Sequence, residues 1–289
     1  MRLALRAEVR FGCPVQDCGS PYLTYHHFDP PYRTGKSHDP NGMIALCLPH
    51  HRVADVGTWT DDNLREMKAR PFLSGDSVGG RLEWLRRDVL VQCGGNCFLN
   101  PSILLEVGGR KVIWTQRDSK GLLQLSLNIT DVDGSEVLVM ENNEWLVTGP
   151  VADLRASASA HSIRLSAPAR HVTLTMKFMS LAEETLRAEL EAEAESVVQK
   201  PPVPTELLSG LPPAFVASLV PTKEQAFESL WSPFARSGIS WPAMRVSLSG
   251  RIPHPVPISF TSTKLELPGG RVLSGNTVLV PGAKVISVA

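Results

Sequence analysis

The pattern of hydrophobic and polar residues is strand-like over 100–179, where short apolar runs alternate with polar turns. The clearest pair of runs, 102–107 and 111–115, flanks Gly108-Gly109, and a Gly-Gly pair in this position is typical of a β-hairpin. Further strands are expected at 122–129, 136–140, 144–147, 163–165 and 172–178. This spacing predicts a β-sandwich or a curled sheet.

Two helices are predicted beyond this strand-like stretch. Residues 181–198 are rich in Ala, Glu and Leu, and a second helical segment covers 222–234. Between them, the prolines from Pro201 to Pro221 fix φ and remove backbone donors, which predicts a stiff connector. From Arg245 onward the pattern returns to strands separated by Pro-Gly turns.

The first 72 residues carry three of the five cysteines and five of the eight histidines. They end in a helix that Thr60 or Asp61 can cap and that Pro71 follows. A chain of 289 residues has room for two domains, so we expect a small separate domain here.

The stretch that follows is predicted to connect this domain to the strands. A Gly- and Ser-rich patch at 74–80 indicates a linker, and Leu82, Leu85 and Val89 stand at the spacing of a short helix over 81–90. The expected fold class is α+β. We expect a small N-terminal domain at 1–72, a linker and helix at 73–99, and a mainly β domain at 100–180. Residues 181–289 are expected to form a helix, a Pro-rich connector, a second helix and a β-rich tail.

Composition narrows the choice of partners and compartment. Lys plus Arg total 29 and so do Asp plus Glu, so the chain has no global positive field with which to bind nucleic acid. The positive charge needed to bind nucleic acid must therefore be local, come from metal ions or be supplied by a partner. We expect no membrane span and no signal peptide. Five cysteines, an odd number with three beside histidines, favour metal binding in a reducing cytoplasm over disulfides.

Four residues have the spacing of a tetrahedral metal site. Cys13 and Cys18 are separated by four residues, so both thiolates can turn onto one ion, and Cys47 and His50 supply a second pair from a loop entering a helix. Two such pairs predict a structural Zn²⁺ site, which would stabilise a domain too small to bury much core. Separately buried cysteines are the less specific alternative.

A second group of side chains remains once the zinc site is complete. His51 would point away from His50, and Asp55 follows it by one helical turn on the same face. His26 and His27 lie on a predicted strand, where neighbours face opposite ways, so one can bind a cation while the other acts as a base. An imidazole and a divalent ion are groups suited to phosphodiester hydrolysis.

The order Cys–Cys, His-His, Asn, Cys-x-x-His-His resembles that of the HNH endonucleases, whose fold is a ββα-metal finger that zinc often stabilises. The resemblance covers the first quarter of the chain. It implies that His27 is the general base and that His26 and His51 bind the catalytic Mg²⁺ or Mn²⁺. It places Asp55 where some members have a further ligand, and Asn41 near the middle asparagine that braces the loop and orients the base.

The same resemblance assigns the zinc quartet to Cys13, Cys18, Cys47 and His50, with His50 in place of the more usual cysteine. We expect His38, beside Asp39-Pro40, to be a solvated loop residue with no role as a ligand.

For function, the resemblance implies a metal-dependent endonuclease that hydrolyses DNA. The remaining two hundred residues, a protein partner or self-assembly would control cleavage, as in HNH proteins of bacterial antiviral defence. Two alternatives stay open: a non-catalytic zinc finger that binds DNA or protein, and an RNA-cleaving toxin.

Overall fold

The computed structural model describes residues 1–72, 77–157, 162–168, 172–199, 221–261, 263–274, 278–279 and 284–288. Within these ranges the fold is mixed α+β, as expected, and sheets outweigh helices. The helices are α1 Arg2–Glu8, α2 Tyr32–Gly35, α3 Leu48–Asp55, α4 Asp61–Ala69, α5 Glu183–Gln199 and α6 Lys223–Ala235. The Pro-rich connector predicted from Pro201 to Pro221, except Pro221 itself, and part of the linker predicted at 74–80 lie outside the described residues.

The strands fall into one small and two large sheets. They are β1 Leu23–His27, β2 Met43–Cys47, β3 Val78–Arg81, β4 Val89–Cys93, β5 Asn96–Leu99, β6 Ile103–Val107, β7 Arg110–Arg117, β8 Leu123–Thr130, β9 Glu136–Glu141, β10 Glu144–Val147, β11 Asp153–Ala156, β12 Ser162–Ser166, β13 Thr173–Leu181, β14 Ala243–Ile252, β15 Ile258–Phe260, β16 Lys264–Leu267, β17 Arg271–Ser274, β18 Val278–Leu279 and β19 Lys284–Val288. The N-terminal region (1–72) contains β1 and β2, and the β-rich region (77–288) contains the others.

In the N-terminal region, a hairpin leads into a helix. β1 and β2 pair antiparallel, with Leu23 opposite Cys47 and His27 opposite Met43. α3 begins directly after β2 and packs back on β1. All residues of β2 are buried, because α1, α3 and α4 all contact this strand. The core of the region is a cluster of eleven buried residues: Leu5, Val9, Cys13, Phe28, Met43, Ile44, Ala45, Leu46, Cys47, Ala54 and Leu64.

Gly42 holds the hairpin closed at the end where His27 lies. Its carbonyl oxygen accepts hydrogen bonds from the backbone N–H groups of Phe28 (2.9 Å) and Asp29 (3.2 Å). A Cβ atom at position 42 would stand 1.6 Å from the Asp29 carbonyl oxygen, so no larger residue fits without separating the two segments. The close approach therefore fixes the backbone on both sides of the hairpin end.

The β-rich region is built from two sheets that share one core. The first has the strand order β19-β6-β7-β8-β9-β10-β3. The second runs β11-β12-β13-β14-β15-β16-β17, and β4 joins it by pairing parallel to β14 and antiparallel to β5. Buried residues of both sheets, among them Leu127 and Met176, belong to the same hydrophobic cluster. The sheets thus pack face to face, as in a β-sandwich.

The hairpin predicted across Gly108-Gly109 is confirmed. β6 and β7 pair antiparallel, and the two glycines have φ values of 55° and 78°. Positive φ at both central residues is the geometry of a two-residue hairpin turn, which glycine adopts without steric strain.

The two predicted C-terminal helices are present as α5 and α6. They pack against each other, and Trp231 and Phe234 of α6 join Leu90 and Leu99 of the second sheet in a separate hydrophobic cluster. Among the described residues, no helix combines the length and apolar character needed to cross a membrane.

The helix predicted over 81–90 is wrong. Arg81 ends β3, irregular backbone follows, and β4 begins at Val89. Leu82 and Leu85 do not share a buried face, because Leu82 is 3% exposed and Leu85 is 69% exposed. Val89 and Leu90 are both fully buried, one in the core between the sheets and the other beneath the helices, so the local hydrophobic pattern is that of a strand covered on both faces.

The N-terminal region contacts the β-rich region through Arg6 of α1 and through aromatic residues that follow this helix. The buried Arg6 guanidinium donates to Asp153 of β11 from Nη2 (2.6 Å) and Nε (3.2 Å), and from Nη1 to the hydroxyl of Tyr25 (2.8 Å). Phe11 extends into the core between the two large sheets. Tyr22 adds a second aromatic contact, because its hydroxyl donates to the Arg81 carbonyl oxygen (2.7 Å) and its ring packs against Trp145. One buried charge and two aromatic rings therefore join the two regions.

Candidate metal centres

Three thiols and one imidazole meet beside the start of α3. Cys13 and Cys18 flank a turn that is closed by a hydrogen bond from the Gly19 N–H to the Cys13 carbonyl oxygen (3.2 Å). Cys47 is the last residue of β2, and His50 lies in the first turn of α3. The turn thus supplies one pair of potential ligands and the strand–helix junction supplies the other.

The donor atoms of this cluster are close enough to share one ion. His50 Nδ1 lies 3.4 Å from Cys13 Sγ and 3.3 Å from Cys47 Sγ, and the sulfur atoms of Cys18 and Cys47 are 3.7 Å apart. All four donor atoms fall within 4.8 Å of one another. The cluster could therefore bind a metal ion.

The surroundings of the thiols favour their neutral form when no cation is present. Burial raises the pKa of Cys13, and the nearby Cys47 and Cys18 raise it further, against backbone hydrogen bonds that lower it. Burial also raises the pKa of Cys47. A thiolate cluster at this position needs a positive charge at its centre, because several negative charges cannot be buried side by side uncompensated.

A neighbouring face of α3 carries members of a second group of potential ligands. His51 and Asp55 are one helical turn apart, with His51 Nε2 3.6 Å from Asp55 Oδ1. His26 Nδ1, on β1, lies 3.1 Å from the same carboxylate oxygen. One donor atom from each residue falls within 4.8 Å of the others, so this group could also hold a metal ion. The adjacent residues His50 and His51 thus contribute to different groups.

Thr24 determines which nitrogen of His51 is free. Its hydroxyl donates to the Leu46 carbonyl oxygen (2.9 Å), and His51 Nδ1 lies 2.8 Å from the same hydroxyl oxygen. Because the single hydroxyl hydrogen is already used, the oxygen must accept from Nδ1–H of His51. The neutral ring therefore has its lone pair on Nε2, which points toward Asp55. A lone pair facing a carboxylate oxygen is favourable when a cation lies between them.

His26 is the buried member of this group, whereas the side chain of Asp55 is 56% exposed. Burial lowers the pKa of His26, and the nearby His51 lowers it further, while Asp55 acts in the opposite direction. A lowered pKa leaves the imidazole neutral near pH 7, the form that binds metal ions. The group therefore joins two imidazoles to a carboxylate that opens to solvent.

His27 faces another histidine, which the sequence prediction missed. His27 Nε2 lies 2.9 Å from Nδ1 of His38, and the Tyr32 ring packs against both imidazoles at 5.1 and 5.5 Å between centroids. Burial lowers the pKa of His27, followed by the effects of His38 and His51. His38 was expected to be a solvated residue without chemistry. It is exposed, but its ring is bonded to His27.

Asn41 is not brought to His27. It lies in the short 3-10 turn Pro40–Gly42, where its backbone N–H donates to Asp39 Oδ1 (3.0 Å), and its side chain is exposed. It is absent from the residues that line the cleft described next. The imidazole of His27 bonds instead to His38, from the loop that precedes this turn.

A single cleft of about 470 Å³ joins the second ligand group to the histidine pair. His26, His51 and Asp55 line it together with His27 and His38. Comparisons with protein-family models, with curated proteins and with solved structures found no match to this chain. The chemistry of the cleft is therefore inferred from its own side chains.

The cleft is suited to activating a water molecule beside a cation. Its lining contains one arginine, Arg33, and two carboxylates, Asp55 and Asp61, so its side chains carry no excess of positive charge. An anionic substrate would thus need a bound cation to offset these carboxylates. His27, which is neutral near pH 7, lies in the same cleft and can accept a proton.

Proposed function

We propose that the N-terminal region is a zinc-stabilised ββα-metal finger of the HNH type that hydrolyses phosphodiester bonds in DNA. The observation that carries this proposal is the presence of two separate donor groups, each of which includes a histidine of α3. One contains three thiols and an imidazole, and the other contains two imidazoles and an exposed carboxylate. The first is the chemistry of a closed structural site, and the second leaves coordination positions open.

The dimensions of the first group support zinc. Tetrahedral zinc with sulfur and nitrogen ligands at their usual distances places sulfur atoms about 3.8 Å apart and sulfur and nitrogen about 3.6 Å apart. The corresponding distances here are 3.7 Å between two sulfur atoms, and 3.3 and 3.4 Å between sulfur and nitrogen. Three thiolates and one imidazole form a donor set that binds zinc in preference to magnesium or calcium.

His26, His51 and Asp55 would hold the second ion, for which we propose Mg²⁺ or Mn²⁺. When bound, this ion would neutralise the charge that develops on the phosphate and on the leaving oxygen. Thr24 supports the assignment, because it leaves Nε2 of His51 with a lone pair on the side of Asp55. Two imidazoles favour Mn²⁺ more than Mg²⁺, so both ions belong in the test.

His27 is the proposed base. A water molecule in the cleft gives its proton to the imidazole, and its oxygen forms a bond to phosphorus. The bond from phosphorus to the leaving sugar oxygen breaks, and that oxygen takes a proton from solvent. General-base catalysis of this kind contributes about 10²- to 10⁴-fold to the rate.

The β-rich region, a protein partner or self-assembly is proposed to control cleavage, with antiviral defence as one setting. The cleft and the chain as a whole lack excess positive charge, which supports dependence on another surface for DNA binding. Arg6 supports control through the β-rich region, because it connects Asp153 of that region to Tyr25, a residue of the cleft wall.

The test is a nicking assay on supercoiled plasmid with Mg²⁺ or Mn²⁺, using the full chain. We expect cutting by the wild type and a loss of about 10²-fold or more in His27→Ala. His254→Ala is the matched control, because this histidine lies in the β-rich region and bonds to Thr130. Parallel incubations with single-stranded RNA distinguish a ribonuclease.

Each result has a clear meaning. Metal-dependent cutting of DNA that requires His27 and not His254 supports the proposal. Cutting of RNA alone would favour the toxin alternative. Tight DNA or protein binding without cutting, at any ion concentration tested, would favour the non-catalytic finger.

A further inference from the structure

The loop that follows α2 contributes a ring to the proposed catalytic base. His38 lies in this loop, and its Nδ1 atom is 2.9 Å from Nε2 of His27. The Tyr32 ring, from the start of α2, packs against both imidazoles. Within the part of the chain that the structure describes, this is the hydrogen bond that the His27 side chain makes.

We propose that His38 is the positioning residue of the site: it accepts a hydrogen bond from Nε2–H of His27 and so leaves the lone pair of His27 on Nδ1. This inference rests on the proposed function for its catalytic meaning, although the hydrogen bond can be tested without any activity. It assigns to His38 the orienting role that the sequence resemblance gave to Asn41.

Two neutral imidazoles can form this bond in two ways, because one must donate and the other accept. If His38 donated from Nδ1, the hydrogen of His27 would be on Nδ1, and neither nitrogen of His27 could take a proton from water. If His27 donates from Nε2, Nδ1 is free to do so. Only the second arrangement suits a base.

The second arrangement also needs no movement during the reaction. After water transfers its proton to Nδ1, His27 is an imidazolium with a hydrogen on each nitrogen. Its Nε2–H still donates to His38 Nδ1, and this bond strengthens because the donor is now charged. An interaction that is stronger after proton transfer than before it lowers the barrier to that transfer.

The alternative orienting residue is poorly placed for this purpose. The Asn41 side chain is exposed in its 3-10 turn and does not line the cleft, whereas His38 lines the cleft.

The loop also offers a control position at Ser37, the neighbour of His38. Ser37 accepts a hydrogen bond from the Asp39 N–H (3.2 Å) and does not line the cleft. It offers a matched position at which the same loop can be altered without touching His27.

The first experiment compares cleavage by His38→Leu, His38→Gln and Ser37→Ala with that by the wild type. Leucine removes the acceptor and keeps an apolar body against Tyr32, whereas the glutamine carbonyl can accept from Nε2–H. We expect His38→Leu to lower kcat about 10- to 100-fold with little change in KM. This loss is smaller than the loss expected on removing His27, because the base itself remains. His38→Gln should recover most of that loss, and Ser37→Ala should resemble the wild type.

The second experiment is ¹⁵N NMR of the imidazole rings in the full chain, which separates a nitrogen that carries hydrogen from one that does not. The His27 signals are assigned by their loss in His27→Gln. We expect hydrogen on Nε2 and a bare Nδ1 in the wild type, and a mixture of the two tautomers in His38→Leu.

The outcomes distinguish this inference from the proposed function. Hydrogen on Nδ1 of His27 in the wild type overturns the role of His38, whether or not the protein cuts DNA. So does a kcat for His38→Leu equal to that of the wild type, or a His38→Gln variant as slow as His38→Leu. The expected tautomer together with no cutting under any condition upholds the bond and overturns the nuclease.

Discussion

The N-terminal region and the β-rich region are stabilised by different means. The buried core of the first contains eleven residues, of which Cys13 and Cys47 are themselves potential ligands, whereas thirty-nine of the described residues form the core between the large sheets. A small domain buries a smaller fraction of its surface, so its hydrophobic free energy alone leaves it marginal. A metal ion is therefore expected to stabilise the N-terminal region and not the β-rich region.

The largest difference between the two regions is expected on removal of the zinc that we propose for the N-terminal region. Cys47→Ser, or the wild type treated with a strong zinc chelator, should unfold the N-terminal region and leave the β-rich region folded. Structural zinc contributes about 10–16 kcal/mol to the folding of isolated zinc fingers, which is more than a core of this size can replace. Hydrogen exchange read peptide by peptide distinguishes the two regions.

Cys97→Ser is the matched control for this experiment. Cys97 is a half-buried free cysteine on β5, outside both ligand groups, and burial raises its pKa to about 11. Its replacement should leave the protection of the N-terminal region unchanged. Protection of β1 and β2 that survives both chelation and Cys47→Ser would show that the small core suffices alone.

A smaller effect is expected from Thr24→Val, which removes the hydroxyl that orients His51. Removing a group that hydrogen-bonds to a metal-binding histidine generally weakens metal affinity by about 10- to 100-fold. Titration calorimetry with Mn²⁺ should show that loss, while the content of the proposed zinc stays the same because Thr24 is not among its proposed ligands. Thr148→Val, whose hydroxyl donates to the Glu136 carbonyl oxygen in the β-rich region, is the control. Equal Mn²⁺ affinity in Thr24→Val and the wild type would contradict the orienting role.

The two regions also differ in how much of them the sequence predicts. Strands with one face toward the core, such as β8 and β12, alternate polar and apolar residues, and their positions were predicted. β4 was mistaken for part of a helix because Val89, Leu90 and Val91 are all buried, and a run buried on both faces has no period of two. The pairing of β4 with β14 joins segments more than a hundred and fifty residues apart, which local patterns do not contain.

In the N-terminal region, the spacing of potential ligands predicted the site better than the hydrophobic pattern did. The positions of His50 and His51 on α3, and of Asp55 one turn later, follow from helix geometry. Thr24 could have been found by the same kind of argument, because it stands two residues before His26 on a strand and shares its face. His38 could not, since its position depends on the path of an irregular loop.

The smallest effect is expected where the two regions meet. Asp153→Ala leaves the buried Arg6 guanidinium with the Tyr25 hydroxyl as its remaining hydrogen-bond partner among the described residues, which should lower the free energy of unfolding by about 1–2 kcal/mol. The cost stays below that of a fully buried pair because the Asp153 side chain is 28% exposed and water can take its place.

Glu144→Ala is the control for Asp153→Ala, because it breaks the Arg81–Glu144 pair, in which both side chains are more than half exposed. An exposed pair contributes about 0–1 kcal/mol, so this variant should unfold at nearly the wild-type denaturant concentration. In Asp153→Ala, hydrogen exchange should also increase in α1 and β1 ahead of the sheets, because Arg6 ties Tyr25 to the β-rich region. If both variants lose the same stability and α1 stays protected, the contact does not couple the two regions, and control of the cleft by the β-rich region would need another route.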